Sequence, residues 1–479
     1  MTQLRELRAS ARTDSRRLGG ARWMREHERA CLWGLVVLAV ATRALLIAHS
    51  PFPWGYAWDP YFEGPLELFS LGRLPRASDC SQCYHPPLFY LVGWPFVWLG
   101  HAISSGGSAT GTKATSIRCL SAVPLLCAAI STWATFRLLR LFRWRGESLV
   151  WGVAMSLFLP VSFFASYGIE ADGLVCALVA VCSVELARGF LRRENRTLRN
   201  AIAVGVLCGL ALATKYSGAV ALVTAEITAL ARLAGRPRRR TAIRDGLVVL
   251  ALALAIGGWK YVANLREHGT PLVANGSAAA GFTVQRSLRL DRYRFLDFDL
   301  RAVLATMDPV HGPAGRLTRL DVYRSVPSAF YGLTWTDMGF FSFGGRNGVS
   351  TPGYPRRAIA LWMPASVLVL GLVPSVLGAV GAALSLRRRA MLPLNVLVAV
   401  SIAVYGQWML AQPNWAIKPK YLTFLAPIGI AYVLTAMRWI ERRLPSPWPR
   451  VAWSLLWLCV LACVVYLTQF AIATTATTS

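Results

Sequence analysis

Two short stretches near the start of the chain carry most of its reactive side chains. "YAWDPYFEGPLE" (Tyr56 to Glu67) supplies Asp59, Glu63 and Glu67, and "CSQCYHPPLFY" (Cys80 to Tyr90) supplies Cys80, Cys83, Tyr84 and His85. A second acidic pair, Glu170 and Asp172, lies in "SYGIEADGL". The cations that could face these acids are Arg43, Arg118, Lys215 in "GLALATKYSG", and Lys418 and Lys420 in "NWAIKPKYLTF". A carboxylate can take the proton of an attacking hydroxyl, and lysine or arginine can stabilise a departing phosphate. Each group also has a plainer explanation. Asp59 precedes Pro60 and could cap a helix. Lys215 could snorkel to an interface, Arg43 could be a helix-packing charge, and Glu67 suits an exposed helix face. Capping accounts for one acid, not for acids on two successive loops beside several cations.

The elements that must position these groups follow from composition. Of 479 residues, 55% are hydrophobic and only 15% charged, too apolar for a soluble domain of this size. Runs such as "CLWGLVVLAVATRALLIAHS" approach the ~20 residues that cross a bilayer. The chain reads as an all-α polytopic membrane protein, and its eighteen tryptophans suit interfacial belts. The net charge of +28 follows from basic loops under the positive-inside rule, so no nucleic-acid partner is expected. Glu226, inside an apolar stretch, needs a partner there.

Basic clusters lie at the N-terminus, Arg140–Glu147, Arg192–Arg199, Arg236–Arg244, Arg387–Arg389 and Arg438–Arg450. If all face the cytoplasm, an even number of crossings separates neighbours. Pro86–His101 is short, opens on two prolines and contains Pro95, so it is expected to be an interfacial helix. About eleven crossings remain: Cys31–Ala48, Cys119–Leu139, Leu149–Ala165, Ala171–Phe190, Ala201–Ala213, Ser217–Leu233, Leu247–Val262, Ala358–Ser385, Leu392–Leu410, Tyr421–Ile440 and Val451–Ala473. The expected organisation is a basic cytoplasmic tail (1–30), an N-terminal catalytic membrane module (31–262, external loop 49–118), a long external loop (263–357) and C-terminal transmembrane helices (358–479). Cys80 and Cys83 then lie outside, where a disulfide is favoured over free thiols. A lone C-x-x-C cannot close a four-ligand zinc site.

These motifs, in this order, resemble the polyprenyl-phosphate-dependent glycosyltransferases of the C superfamily, the protein O-mannosyltransferase and aminoarabinose-transferase-like group. The resemblance rests on Asp59, "CYHPPLFYLV", Arg118, "SYGIEADGL", "GLALATKYSG" and "KYLTFLAPIGIAY". It implies the glycosyltransferase C-type fold, with interfacial helices in the first external loop. It implies that Asp59 and Asp172 are the catalytic acids. Some relatives have an adjacent Asp–Glu pair; here Asp59 and Glu63 are four apart, so both stand as candidates for the first. Where relatives often have arginine, this chain has Lys420, which keeps a cation but loses bidentate geometry.

The expected function is transfer of a sugar from a polyprenyl-phosphate donor to a protein, lipid or glycan acceptor, on the outer face of a plasma or inner membrane. Lys215, Lys420, Arg118 and Arg43 are the candidate phosphate cations, and His85, Tyr84, Glu170 and Lys418 the candidate substrate contacts. Asp59 and Asp172 could share a divalent ion, but the resemblance implies metal-free transfer and no cofactor. A flippase for a lipid-linked saccharide would use the same cations without a base, and a silent scaffold of the same fold would use neither.

Overall fold

The computed structural model describes residues 23–24, 26–49, 62–76, 78–80, 82–105, 107–166, 168–191, 198–233, 239–273, 297–305, 325–336, 362–411 and 418–476. The described residues form helices and turns, with no strand. Among the described residues, eight helical stretches are long and apolar enough to cross a membrane. On α1 (Glu28–His49), Trp33, Val37 and Val40 are 69%, 65% and 60% exposed. That surface suits acyl chains rather than water. The chain is a multi-pass integral membrane protein with the all-α architecture expected.

Three of the eleven expected spans come out short. Leu149–Ala165 is two pieces, α6 (Glu147–Phe158) and α7 (Pro160–Ala165). Pro160 has no N–H to continue the first helix and opens the second. The other two are α9 (Leu198–Thr214) and α10 (Ala219–Leu233), 17 and 15 residues long. In the first loop, α2 (Glu63–Leu71), α3 (Leu88–Ile103) and α4 (Ala109–Leu120) pack into a small apolar core around Phe89, Tyr90 and Leu120. The helix α3 is the Pro86–His101 stretch; it packs along α4 rather than joining the main bundle core.

The second unit is the bundle. α1 packs on α6 and on the last helix, α18 (Trp448–Ala476). α5 (Ala122–Leu141) packs on α8 (Ala171–Leu191), which packs on α9. α9 and α10 both pack on α11 (Arg239–Ala253), which continues through a π turn into α12 (Trp259–His268). The helices α13 (Leu300–Ala305) and α14 (Val326–Trp335) are short. α15 (Trp362–Leu386) crosses α17 (Ala426–Arg443) so closely at Gly381 that any Cβ would collide with the Tyr432 carbonyl. α16 (Leu392–Ala411) packs on α10, completing the helices that surround the site.

Candidate active site at the start of α8

Glu170 immediately precedes α8 and Asp172 lies in its first turn, where the helix N-terminus favours negative charge. Lys215 reaches them from the turn between α9 and α10. That turn is a 3₁₀ turn, Tyr216–Gly218, packed so tightly that a Cβ at position 218 would strike the Ala211 carbonyl. The Lys215 ammonium lies 2.8 Å from each Asp172 carboxylate oxygen, and the two side chains are 13% and 5% exposed. A parallel pair forms beside it. Lys420, on the 3₁₀ segment Pro419–Leu425 that leads into α17, lies 2.6 Å from both Glu170 oxygens.

The two pairs share one aromatic ring. The ammonium groups of Lys215, Lys420 and Lys418 lie over Tyr421 at 4.8, 5.6 and 6.0 Å from its centroid. Ion pairs this deeply buried bring little net stability, because desolvation offsets attraction. Losing one partner costs about 3–5 kcal/mol, since the other is stranded.

The first loop seats on the Lys215 turn. Cys80 and Cys83 are joined in a disulfide, as expected. The Tyr90 hydroxyl donates to the Gln82 carbonyl at 2.6 Å and fixes this turn against α3. The Tyr216 hydroxyl donates to the Tyr84 carbonyl at 3.1 Å and accepts from Asn264 Nδ2 of α12 at 3.2 Å. His85 is buried, with its ring 4.1 Å from Tyr84 and 6.0 Å from Tyr216. Burial, reinforced by the nearby Lys215 charge, holds its pKa well below the usual 6.5. The imidazole is therefore neutral at physiological pH.

The structure thus brings together Asp172, Glu170, Lys215, Lys418, Lys420, Tyr84 and His85. It does not add Arg43, expected among the phosphate cations. That guanidinium donates to Ser166 Oγ at 2.7 Å and to the Leu157 and Ala39 carbonyls at 2.8 and 3.3 Å, over the Phe163 ring. The physical reason is the α6–α7 break. Leu157 lies in the last turn of α6, where carbonyls lack helical partners, and a cation is favoured there. Arg118 is exposed, and its side chain makes no hydrogen bond or ion pair among the described residues. Glu63 lies in the first turn of α2 and Glu67 at its middle, where it accepts from Ser70 Oγ at 3.4 Å. Glu226 lies against Gly246 of α11, and its Oε1 has no hydrogen-bond partner among the described residues. Asp59 lies outside the described residues.

Tyr216, Asn264 and Tyr421 were not singled out from the sequence. A signal for two of them was present: Lys215 and Lys420 are each followed directly by tyrosine.

No protein-family model and no curated protein matches the chain. Solved structures do. The Archaeoglobus fulgidus oligosaccharyltransferase tethered to an acceptor peptide with the NVT sequon matches at TM-score 0.50 and 14% identity, over 95% of this chain and 56% of that one. The Archaeoglobus fulgidus oligosaccharyltransferase AglB, in complex with an inhibitory peptide and a dolichol-phosphate, matches at TM-score 0.48 and 14% identity, over 92% and 56%. ArnT from Cupriavidus metallidurans in the apo state matches at TM-score 0.36 and 14% identity, over 86% and 81%. The chain spans just over half the length of the oligosaccharyltransferase it matches. The fold is the glycosyltransferase C type, as the motifs implied.

Proposed function

We propose that this chain is a membrane glycosyltransferase that takes a sugar from a polyprenyl-phosphate donor and passes it to an acceptor on the outer face. The observation that carries the reading is the pair of lysine–carboxylate bridges, Asp172–Lys215 and Glu170–Lys420, closing on Tyr421 with Lys418 beside them. A donor phosphate set there would be met by charge-assisted hydrogen bonds.

In the proposed reaction the acceptor hydroxyl loses its proton to a carboxylate as its oxygen attacks the sugar's anomeric carbon. The bond from that carbon to the phosphate oxygen breaks. The polyprenyl phosphate leaves with the electron pair, and Lys215 and Lys420 stabilise the charge it gains. Both Asp172 oxygens already accept from Lys215. We therefore assign Asp172 to orienting that lysine and Asp59 to proton removal, with Glu63 as the other candidate base. A donor with protein, lipid or glycan acceptors fits this scheme equally.

The test is a transfer and donor-hydrolysis assay on the purified protein in detergent. Asp59→Asn is expected to bind donor normally and lose transfer by about 10²–10⁴-fold, the usual cost of a lost general base. Glu67→Gln is expected to be nearly silent. Full transfer in Asp59→Asn with loss in Glu63→Gln moves the base to Glu63. Donor binding without transfer or hydrolysis in the unaltered protein favours a flippase.

A further inference from the structure

Three lysine ammonium groups lie around one aromatic ring, that of Tyr421. Like charges repel, and long lysine side chains lose rotamer freedom when held together. Asp172 accounts for the placement of Lys215, and Glu170 for that of Lys420. Lys418 lies beside the two bridges, near the same ring. The shared feature is Tyr421. Its ring is approached by all three ammonium groups, at 4.8, 5.6 and 6.0 Å from the centroid. An aromatic face carries negative electrostatic potential and attracts a cation within about 6 Å. The ring is itself braced edge-on by Trp408 of α16, at 5.4 Å between centroids.

Local backbone geometry supports the same focus. Lys418 and Lys420 flank Pro419, which opens the 3₁₀ segment, and the Tyr421 amide donates to the Lys418 carbonyl at 3.1 Å. The Lys418 amide donates to the Tyr405 hydroxyl at 2.6 Å, tying the start of this segment to α16. Lys215 comes from a different turn, about 200 residues earlier in the chain. Tyr421 is thus where two separate cationic elements meet.

We infer that Tyr421 is a positioning residue: its ring gathers Lys215, Lys418 and Lys420 into one cradle for the phosphate of the lipid donor. This rests on the donor reading given above. The face of the ring does the work, so phenylalanine or tryptophan should replace tyrosine, and an aliphatic side chain of similar size should not. A carboxylate can hold a lysine but also competes with an incoming phosphate for it. A ring face attracts an ammonium without the full negative charge that would repel a phosphate. The donor phosphate can then be bound without first stripping all three lysines of their support.

The test measures binding of undecaprenyl monophosphate, and separately of the neutral undecaprenol, to the full-length protein in nanodiscs. Tyr421→Leu is expected to weaken monophosphate binding by about tenfold, as loss of partly desolvated cation–π contacts implies. It should leave undecaprenol binding unchanged. Tyr421→Phe and Tyr421→Trp are expected to stay within about threefold of the unaltered protein, because both keep the ring face. A second readout is independent of the donor. Acylation of the three lysines, followed by mass spectrometry, should be several-fold faster at Lys418 in Tyr421→Leu and unchanged in Tyr421→Phe. If Tyr421→Leu binds monophosphate normally, the inference is wrong while the donor reading stands. If Tyr421→Phe fails as badly as Tyr421→Leu, the hydroxyl and not the ring is responsible, and the inference is overturned. Equal loss of monophosphate and undecaprenol means lost packing, which also overturns it. If the unaltered protein binds no monophosphate, the donor reading falls, and the cradle with it.

Discussion

At the scale of single residues, the Asp172–Lys215 bridge sets the terms for every substitution around it. Lys215→Ala removes a phosphate contact and also strands a carboxylate that is only 5% exposed. The two effects separate in a double variant. Lys215→Ala alone is expected to lower thermal stability and to weaken donor binding about tenfold or more, the worth of a charge-assisted contact. Lys215→Ala with Asp172→Asn should recover most of the stability, because no charge is left buried alone. It should not recover donor affinity. Thermal denaturation and donor titration on the two variants decide this. Restored affinity in the double variant would return Lys215 to a purely structural role.

His85 offers a pH test at the same scale. Its folded pKa lies well below 6.5, first through burial and then through Lys215. The unfolded chain takes up a proton near 6.5 and the folded chain does not. Stability is therefore full above that pH and falls as pH drops below it, by about 1.4 kcal/mol per unit for this one group. His85→Gln is expected to show a smaller loss of melting temperature between pH 7.5 and 5.5 than the unaltered protein. Transfer should show no inflection from His85 between pH 6 and 8. A matching inflection that His85→Gln abolishes would mean the imidazole titrates in the folded state.

At the scale of elements, the site is an assembly of turns held by crossing hydrogen bonds. Tyr216 joins two of them to a helix: the disulfide-closed turn through Tyr84 and its own turn after Lys215, with α12 through Asn264. Tyr216→Phe keeps the ring and loses both hydrogen bonds, each worth about 1 kcal/mol. It is expected to speed proteolytic cleavage in the first loop and to weaken donor binding a few-fold, with transfer rate at saturating donor preserved. Unchanged cleavage would show that the first loop is held by α3 alone. This scale also marks what could be read in the sequence. Acids on two loops and lysines on two others could be assigned to one layer from hydropathy and charge. Their pairing could not, because Asp172 and Lys215 are 43 residues apart and Glu170 and Lys420 are 250. The position of Arg43 on α1 was legible, but not its bond to the Leu157 carbonyl, which lacks a helical partner because α6 stops before Pro160. At α9 and α10, 17 and 15 residues long, hydropathy marks the apolar stretches and not how the helices break and tilt.

At the scale of the whole molecule, one contact bears on how α1 and α5 run. Glu28, at the start of α1, accepts from Arg140 Nη2 near the end of α5 and from the Gly146 amide, both at 2.7 Å. The start of α1 and the end of α5 are therefore at the same level, and the two helices run in opposite directions. The basic residues Arg140, Arg143 and Arg145 gather at that level, which the positive-inside rule assigns to the cytoplasm. The helices α2, α3 and α4 then lie between the two crossings, on the opposite side with the lysine–carboxylate pairs. For that to hold, α3 must not cross the membrane, although it is apolar and 16 residues long. At 1.5 Å per residue it is about 24 Å long, short of a hydrocarbon core of about 30 Å. Lys113 on α4 is exposed and tests the point. Lys113→Cys is expected to react with a membrane-impermeant thiol reagent in intact cells, at a rate little changed by lysis. Labelling is followed by mass spectrometry of the peptide carrying position 113, because Cys119 lies nearby and is partly exposed. Because the start of α1 and the end of α5 share one level, reaction only after lysis would put the whole first loop, and the Lys215 turn joined to it through Tyr216 and Tyr84, on the cytoplasmic side. Transfer on the outer face would then be untenable.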